Sequence, residues 1–329
     1  MKKYILLGGG GVFALHTAKF LLEQTETKSV IMVGRNFERS EAYTLGIGYG
    51  DSRYRYEQIH ILFEQDRLFD LFDYEKPDVI INFAALAHST SWYKSWRYYE
   101  TNVTALAKIC EKLMSRKYLK RFLQIGTSEL YGSTENPATE TSELRPSSPY
   151  AVSKMAGDLH LISLSKVRNF PMNIIRPSNA YGPGQHLHRI LPKAVLCGLT
   201  SQKFPLEGGG KTMRSFIHAR DLARAIYLIC EKAPLGEIYN AGPSKPISNH
   251  DLIKEVCSQF KIDMNDFCSI TDGRMGEDHA YWLDSSFIKN QLGWEQEIGI
   301  VEGVGDMINW GRKYFELIKK DKITFTLHA

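Results

Sequence analysis

Tyr4-Ile-Leu-Leu-Gly-Gly-Gly-Gly-Val-Phe-Ala14 runs four apolar residues straight into four glycines. Phe13 to Leu22 then carries a helical apolar pattern, and a second apolar run follows at Ser29 to Val33. Strand, tight turn, helix and strand make a β-α-β unit. The spacing Gly8-x-x-Gly11-x-x-Ala14 lets backbone approach a pyrophosphate at the helix N-terminus, where N–H groups and the helix dipole favour anions. Ala14 stands where a third glycine is commoner, a position that serves close packing. Bracketed by strand and helix, this turn points to a bound dinucleotide.

The second run ends in Val33-Gly34-Arg35-Asn36. NAD-binding units of this kind place an acid there for the adenosine ribose hydroxyls. A glycine in its place, followed by Arg35, leaves room and positive charge for a 2′-phosphate, so NADP is expected over NAD. From Asp66 to Tyr74 an amphipathic helix leads into Pro77-Asp-Val-Ile-Ile-Asn-Phe-Ala-Ala85, the nearly all-apolar pattern of a strand covered on both faces. The small Ala84 and Ala85 let a cofactor pass over that strand's end. Trp92 to Tyr99 interleaves aromatics and cations, which suits a lid or subunit-contact helix and, less well, a platform for nucleobases. Asn102 follows, opening the next long helix.

Phe122 to Ile125 is a short apolar strand, after which Gly126 leads to Thr127-Ser128-Glu129. Groups just past a strand's carboxyl end are where open α/β sheets keep their chemistry. After a polar loop, Ser147 or Ser148 caps a helix, Pro149 suits its first position, and Tyr150 and Lys154 share one face at i, i+4. A lysine ammonium beside a phenol favours the phenolate, which makes Tyr150 a candidate base for a sugar hydroxyl.

The chain has 329 residues, 43% hydrophobic, enough for one large α/β domain or two smaller ones. A net charge of +4 with dispersed basic residues offers no nucleic-acid stripe and no polybasic membrane segment. Cys110, Cys197, Cys230, Cys257 and Cys268 form an odd, scattered set without metal spacing, so a reducing, cytoplasmic setting and no bound metal are expected. The apolar run after Met1-Lys-Lys is too short for a signal peptide, and none approaches the length that crosses a bilayer.

Beyond Lys154 the helix is expected to reach Arg168, with a strand at Asn173 to Arg176 ending in Pro177. The alternation of strand and helix then becomes irregular. Phe204-Pro-Leu-Glu-Gly-Gly-Gly-Lys211 suggests a hairpin, and Arg214 to Asp221 leads into a helix ending near Glu231.

Together these residues resemble the extended short-chain dehydrogenase/reductase family, in its branch of nucleotide-diphosphate-sugar 4,6-dehydratases and epimerases. The likeness covers nearly the whole chain. It implies a Rossmann fold, a doubly wound parallel sheet with a smaller, interwoven α/β substrate domain. Residues 1–176 plus about 216–245 would form the cofactor domain, and about 177–215 with 246–329 the nucleotide-sugar domain. Thr127, Tyr150 and Lys154 fall on the family's catalytic hydroxyl, tyrosine and lysine. Ser128 and Glu129 complete the expected catalytic set. The cofactor is expected against Gly8, Gly11, Val12, Phe13, Arg35, Asn36, Ala84, Ala85, Asn102, Tyr150, Lys154 and Pro177. The substrate is expected against His88, Thr127, Asn179, Arg214 and Arg274, the arginines suiting a diphosphate. A homodimer is implied through the helices starting near Tyr99 and Pro149.

Dehydratases of this branch carry Thr-Asp-Glu or, in the GDP-mannose type, Thr-Ser-Glu, where epimerases usually have small residues. The expected reaction is therefore a 4,6-dehydration. Tyr150 takes the C4 hydroxyl proton during oxidation at C4, Thr127 holds that oxygen, and Glu129 takes the acidified C5 proton. Ser128 or Glu129 protonates the departing C6 hydroxyl, and hydride returns at C6. UDP-glucuronate decarboxylases also show Thr-Ser-Glu, and 4-epimerase and 4-ketoreductase remain alternatives. A non-enzymatic cofactor sensor or RNA-binding member of the fold has no use for the Thr/Tyr/Lys set.

Overall fold

The computed structural model describes residues 1–47, 50–87, 92–273 and 280–321. Seven strands form one sheet, and every neighbouring pair in it is parallel. They are β1 (Lys2–Leu7), β2 (Thr27–Gly34), β3 (Tyr54–Gln58), β4 (Val79–Asn82), β5 (Arg121–Ile125), β6 (Met172–Pro177) and a last strand, Ile238–Ala241. Across the sheet they lie in the order Ile238–Ala241, β6, β5, β4, β1, β2, β3. The chain moves outward from β1 through β2 and β3, then crosses back to β4 on the other side. That reversal opens a crevice beyond the carboxyl ends of β1 and β4, where such sheets bind their ligands.

The all-apolar strands follow from burial on both faces. Tyr4 and Leu6 of β1 join Val30, Met32, Ile81, Leu123 and Ile175 on one face, under the helix α1 (Val12–Leu22) and the helix Ala219–Lys232. Ile5 and Leu7 join Ile31, Val33, Ile80, Phe122 and Ile174 on the other, under Leu68 and Phe72 of Gln65–Glu75 and Ile109 and Leu113 of Leu106–Leu113. One-residue alternation along β1 thus feeds two cores. The doubly wound Rossmann arrangement expected from the sequence is the one observed.

A third core gathers Tyr181, Leu191, Val195, Phe204, Leu252, Val256, Met307 and Trp310, mostly from the helices Ile190–Thr200, Asn249–Phe260 and Ile300–Lys313. The chain weaves between the two regions. Ile288, Leu292 and Trp294 return to the main sheet's first face, where Trp294 Nε1 donates to Asp221 O at 3.0 Å.

The expected hairpin at 204–211 is not one. Phe204–Glu207 pairs in parallel with the distant Cys268–Thr271. Gly208, Gly209 and Gly210 have φ of 57°, 65° and 71° and turn the chain away. The next strand, Met213–Arg214, runs antiparallel to Ile247–Ser248 instead. Three consecutive residues at positive φ spiral out of the plane a two-residue hairpin turn would keep.

The aromatic stretch gives one helical turn, Trp96–Tyr99, that widens into a π-helical turn, Glu100–Ala105, before the α-helix Leu106–Leu113. Trp92, Tyr93 and Trp96 are exposed, whereas Tyr98 is buried. Asn102 therefore sits inside a π-turn, a common location for functional side chains. Among the described residues no helix is long and apolar enough to cross a membrane, and no group of three or more metal-ligating side chains is found.

Candidate active site

Beyond β5 the chain passes close beside β6. A Cβ on Gly126 would lie 2.9 Å from Arg176 Cγ and 3.1 Å from Ile175 O, so only glycine fits. Thr127 follows in extended conformation, and its Oγ1 accepts from Glu129 N at 3.2 Å, capping the short turn Ser128–Tyr131. Thr127 and Ser128 are buried and Glu129 is partly exposed. The helix Pro149–Arg168 starts as expected, with Ser148 Oγ accepting from Ala151 N at 3.2 Å and Pro149 in its first turn. Its first turns carry Tyr150 and Lys154 to the end of β5. There the Thr127 hydroxyl acts on the Tyr150 phenol, favouring its ionised form, and Tyr98 meets the phenol ring edge-on at 6.3 Å.

The lysine acts differently from the expectation. Lys154 is 3% exposed, and its Nζ donates to Ile125 O at 2.6 Å, tying the helix to the strand that delivers Thr127. Burial holds its pKa down to about 8, opposed by the charge of Asp158. The Tyr150 phenol is pushed up, first by burial and then by the charge of Glu129, against the Arg189 charge and the Thr127 hydroxyl. A lowered phenol is thus not found in the free chain, because removing the ring from water outweighs the Arg189 charge.

Sequence reasoning missed what stands behind the lysine. Asp158, 0% exposed, pairs with Arg176, 2% exposed, at 3.0 Å. Arg176 Nη1 donates to Tyr131 Oη at 2.9 Å, and Tyr131 donates to Asn240 Oδ1 at 2.8 Å. The one available signal was spacing, since Asp158 follows Lys154 at i+4. If the Lys154 charge is needed for proton transfer, kcat/KM should fall as pH rises through about 8. Asp158→Asn removes the charge that supports the ammonium, so its falling limb should lie at lower pH. An unmoved limb in that pH–rate profile would sever Asp158 from the lysine.

On the cofactor side, the glycine turn presses against two strand ends. A Cβ on Gly8, which has φ +81°, would be 2.6 Å from Ala84 N, and one on Gly9 2.8 Å from Met32 Cβ. Gly11 precedes α1 without a side-chain cap, so the first N–H groups at Val12 and Phe13 are left to the crevice. These features fit a dinucleotide pyrophosphate. Ala84 is pinned by its N–H to Asn82 Oδ1 at 3.1 Å, beside Ala85. Asn102 clamps the same segment: its Oδ1 accepts from Leu86 N at 2.9 Å, and its Nδ2 donates to Ser153 Oγ at 2.9 Å. Asn102 therefore shapes the crevice wall. Arg35 and Asn36 are exposed past β2, with the Arg35 charge acting on His60, whose imidazole is held down mainly by burial.

Pro177 ends β6 opposite Ala241. Asn179 begins the strand Asn179–Tyr181, which pairs with Phe216–His218, and Arg214 is buried with its Nη1 on Met213 O at 2.8 Å. The expected substrate contacts His88 and Arg274 lie outside the described residues.

A dinucleotide crevice with a Thr/Tyr/Lys group at the end of β5 defines the protein's class, a Rossmann-fold enzyme of the short-chain dehydrogenase/reductase type. The profile of the NAD dependent epimerase/dehydratase family matches residues 4–242. The chain belongs to that family.

Among its relatives, the dTDP-D-glucose 4,6-dehydratase of Dictyostelium discoideum is 28% identical over 94% of this chain and 81% of its own length. The crystal structure of a dTDP-glucose 4,6-dehydratase from Streptomyces venezuelae with NAD bound superposes with a TM-score of 0.86, at 27% identity, covering 94% of this chain and 97% of the other. A trifunctional Arabidopsis thaliana protein, named for UDP-glucose 4,6-dehydratase, epimerase and reductase activities, is 26% identical over 94% of this chain. The chain spans only 47% of that protein's length.

Proposed function

We propose that the protein is a nucleotide-diphosphate-hexose 4,6-dehydratase, yielding a 4-keto-6-deoxy sugar. The observation that carries this is the placing of Glu129 in the turn capped by Thr127, whose Oγ1 accepts from Glu129 N at 3.2 Å, with the Glu129 charge acting on the Tyr150 phenol. The relatives named as dehydratases support it. Bound in the crevice, a nicotinamide cofactor supplies the means of moving hydride from and to the sugar.

This chain's residues do the rest. Thr127 holds the C4 oxygen, and Tyr150 Oη takes the C4 hydroxyl proton. Lys154, fixed on Ile125 O, brings positive charge to the floor of the site. Once C4 is a ketone the C5 proton is acidic, and Glu129 removes it while Ser128 or Glu129 protonates the leaving C6 hydroxyl. Epimerisation at C4 has no use for a base at C5. Within the proposal, residues 1–176 with about 216–245 serve the cofactor. Residues of about 177–215 and 246–329, with Asn179, Arg214, His88 and Arg274, serve the sugar nucleotide. Incubation with dTDP-, UDP-, GDP- and CDP-hexoses tests the assignment. One of them should lose the mass of water, and carbon dioxide release or inversion at C4 alone would replace the reading.

The cofactor preferred is NADP, on the strength of Arg35 at the end of β2 with no acid at Gly34. Arg35→Ala should weaken NADP by ~1.5–3 kcal/mol, the scale of a hydrogen bond to a charged group, and leave NAD nearly unchanged. Equal losses for both in a binding titration would retire the preference. The assembly proposed is a homodimer through the helices near Tyr99 and Pro149. Leu159 and Val167 of Pro149–Arg168, 48% and 74% exposed, support this by leaving apolar surface for a partner copy. Sedimentation at micromolar concentration should show the dimer, and monomer alone would count against it.

A further inference from the structure

Gly34 has an unexplained neighbour. It is not among the residues at positive φ, so its backbone does not call for glycine. The reason is space. A Cβ on Gly34 would lie 2.1 Å from Tyr56 Oη, 3.0 Å from Tyr56 Cζ and 3.2 Å from Gly10 N. Tyr56 reaches there from β3, and its hydroxyl donates to Asn36 O at 2.7 Å. A Cβ on Gly10 would still be 3.7 Å from the same oxygen. The phenol head is wedged between the tip of β2 and the glycine turn, in the volume through which a side chain at 34 would reach an adenosine ribose.

We propose that Tyr56 is a specificity-determining residue of the cofactor site, its neutral phenol taking the place of a ribose-binding acid and its bond to Asn36 fixing the Arg35–Asn36 segment against a 2′-phosphate. The inference rests on the NADP reading above and adds that positions 34 and 56 act as a coupled pair. A carboxylate at 34 would put negative charge beside the 2′-phosphate, and the phenol excludes it by occupancy. The charged and titratable groups nearby are Arg35, His60 and Glu38. Arg35 acts on His60, and Glu38 accepts from Tyr54 Oη. Burial, then the Glu38 charge, hold the Tyr56 phenol above its ordinary value, so it stays neutral.

The test is calorimetric binding of NADP and NAD to the full chain, which needs no turnover. Gly34→Asp alone should weaken both by roughly tenfold or more, because the new side chain collides with the phenol. Gly34→Asp with Tyr56→Ala should recover NAD by at least roughly tenfold over the single variant while NADP stays weak. If Gly34→Asp alone binds NAD as tightly as the double variant, the pair is not coupled and the proposal fails. Should the Asp variant not fold, Gly34→Ala adds only the colliding atom. It should weaken NAD, and Tyr56→Phe on top should restore most of that loss while NADP stays weak for want of the bond to Asn36. Gly34→Ala with wild-type affinity overturns the wedge. Wild-type protein that prefers NAD removes the NADP reading and the 2′-phosphate half of the proposal. The comparison of NAD affinities between the single and double variants still decides the coupling.

Discussion

Tyr150→Phe should lower turnover by roughly 10²–10⁴-fold, the usual scale for losing a general acid/base group, and should show neither C4 oxidation nor product. Glu129→Gln keeps size and hydrogen bonding but not the base. It should oxidise C4 and then stop, so nicotinamide absorbance rises and stays up while solvent deuterium fails to enter C5. The two variants thus arrest at different points, which a single-turnover mix resolves. The order follows from chemistry: C5–H is acidic only once C4 is a ketone. Glu129→Gln that exchanges deuterium and forms 6-deoxy product at the wild-type rate would make Glu129 structural and remove the chief support for dehydration.

Arg176→Leu should destabilise the fold by about 3–5 kcal/mol, the cost of leaving a buried partner charge uncompensated. Asp158 is fully buried and its Oδ1 has no hydrogen-bond partner, so Arg176 is the cation that bonds it, with Lys154 acting on it through charge. The same change strips Tyr131 Oη of the donor it has in Arg176. Replacing both, as Asp158→Leu with Arg176→Met, should recover most of the loss, because two apolar side chains leave no charge to solvate. Urea midpoints compare the three. A single-variant loss below about 1 kcal/mol would mean that water reaches the pair.

The cofactor half was legible because its signals are local. Four apolar residues ending in four glycines allow few structures, and Ser148 with Pro149 marks a helix start that the structure places at Pro149. Its end at Arg168 was also readable, where Asn169 takes φ 53°. What escaped depends on residues that meet only when strands lie side by side. Asp158 finds Arg176 because β6 pairs with β5, and Tyr56 fills the space at Gly34 because β3 pairs with β2. The Lys154 bond to Ile125 O is of the same kind: helical spacing put lysine and tyrosine on one face but did not reveal a carbonyl within reach of the ammonium. Gly208 to Gly210 misled for another reason, since a hairpin turn and a positive-φ spiral use the same residue.

The π-turn at Glu100–Ala105 has a consequence for chain length. A π-turn accommodates one residue more than the α-helix around it, so it behaves as an insertion the helix has absorbed. A chain lacking Glu100 closes that turn to ordinary α-helix and rotates everything before it by about 100° round the axis. Asn102 would keep its register with Leu106–Leu113 and its grip on Leu86, while Tyr98 swung off the Tyr150 ring. The extra residue therefore holds two phases in one helix: the grip on Leu86 is set by one, and the tyrosine's neighbour by the other.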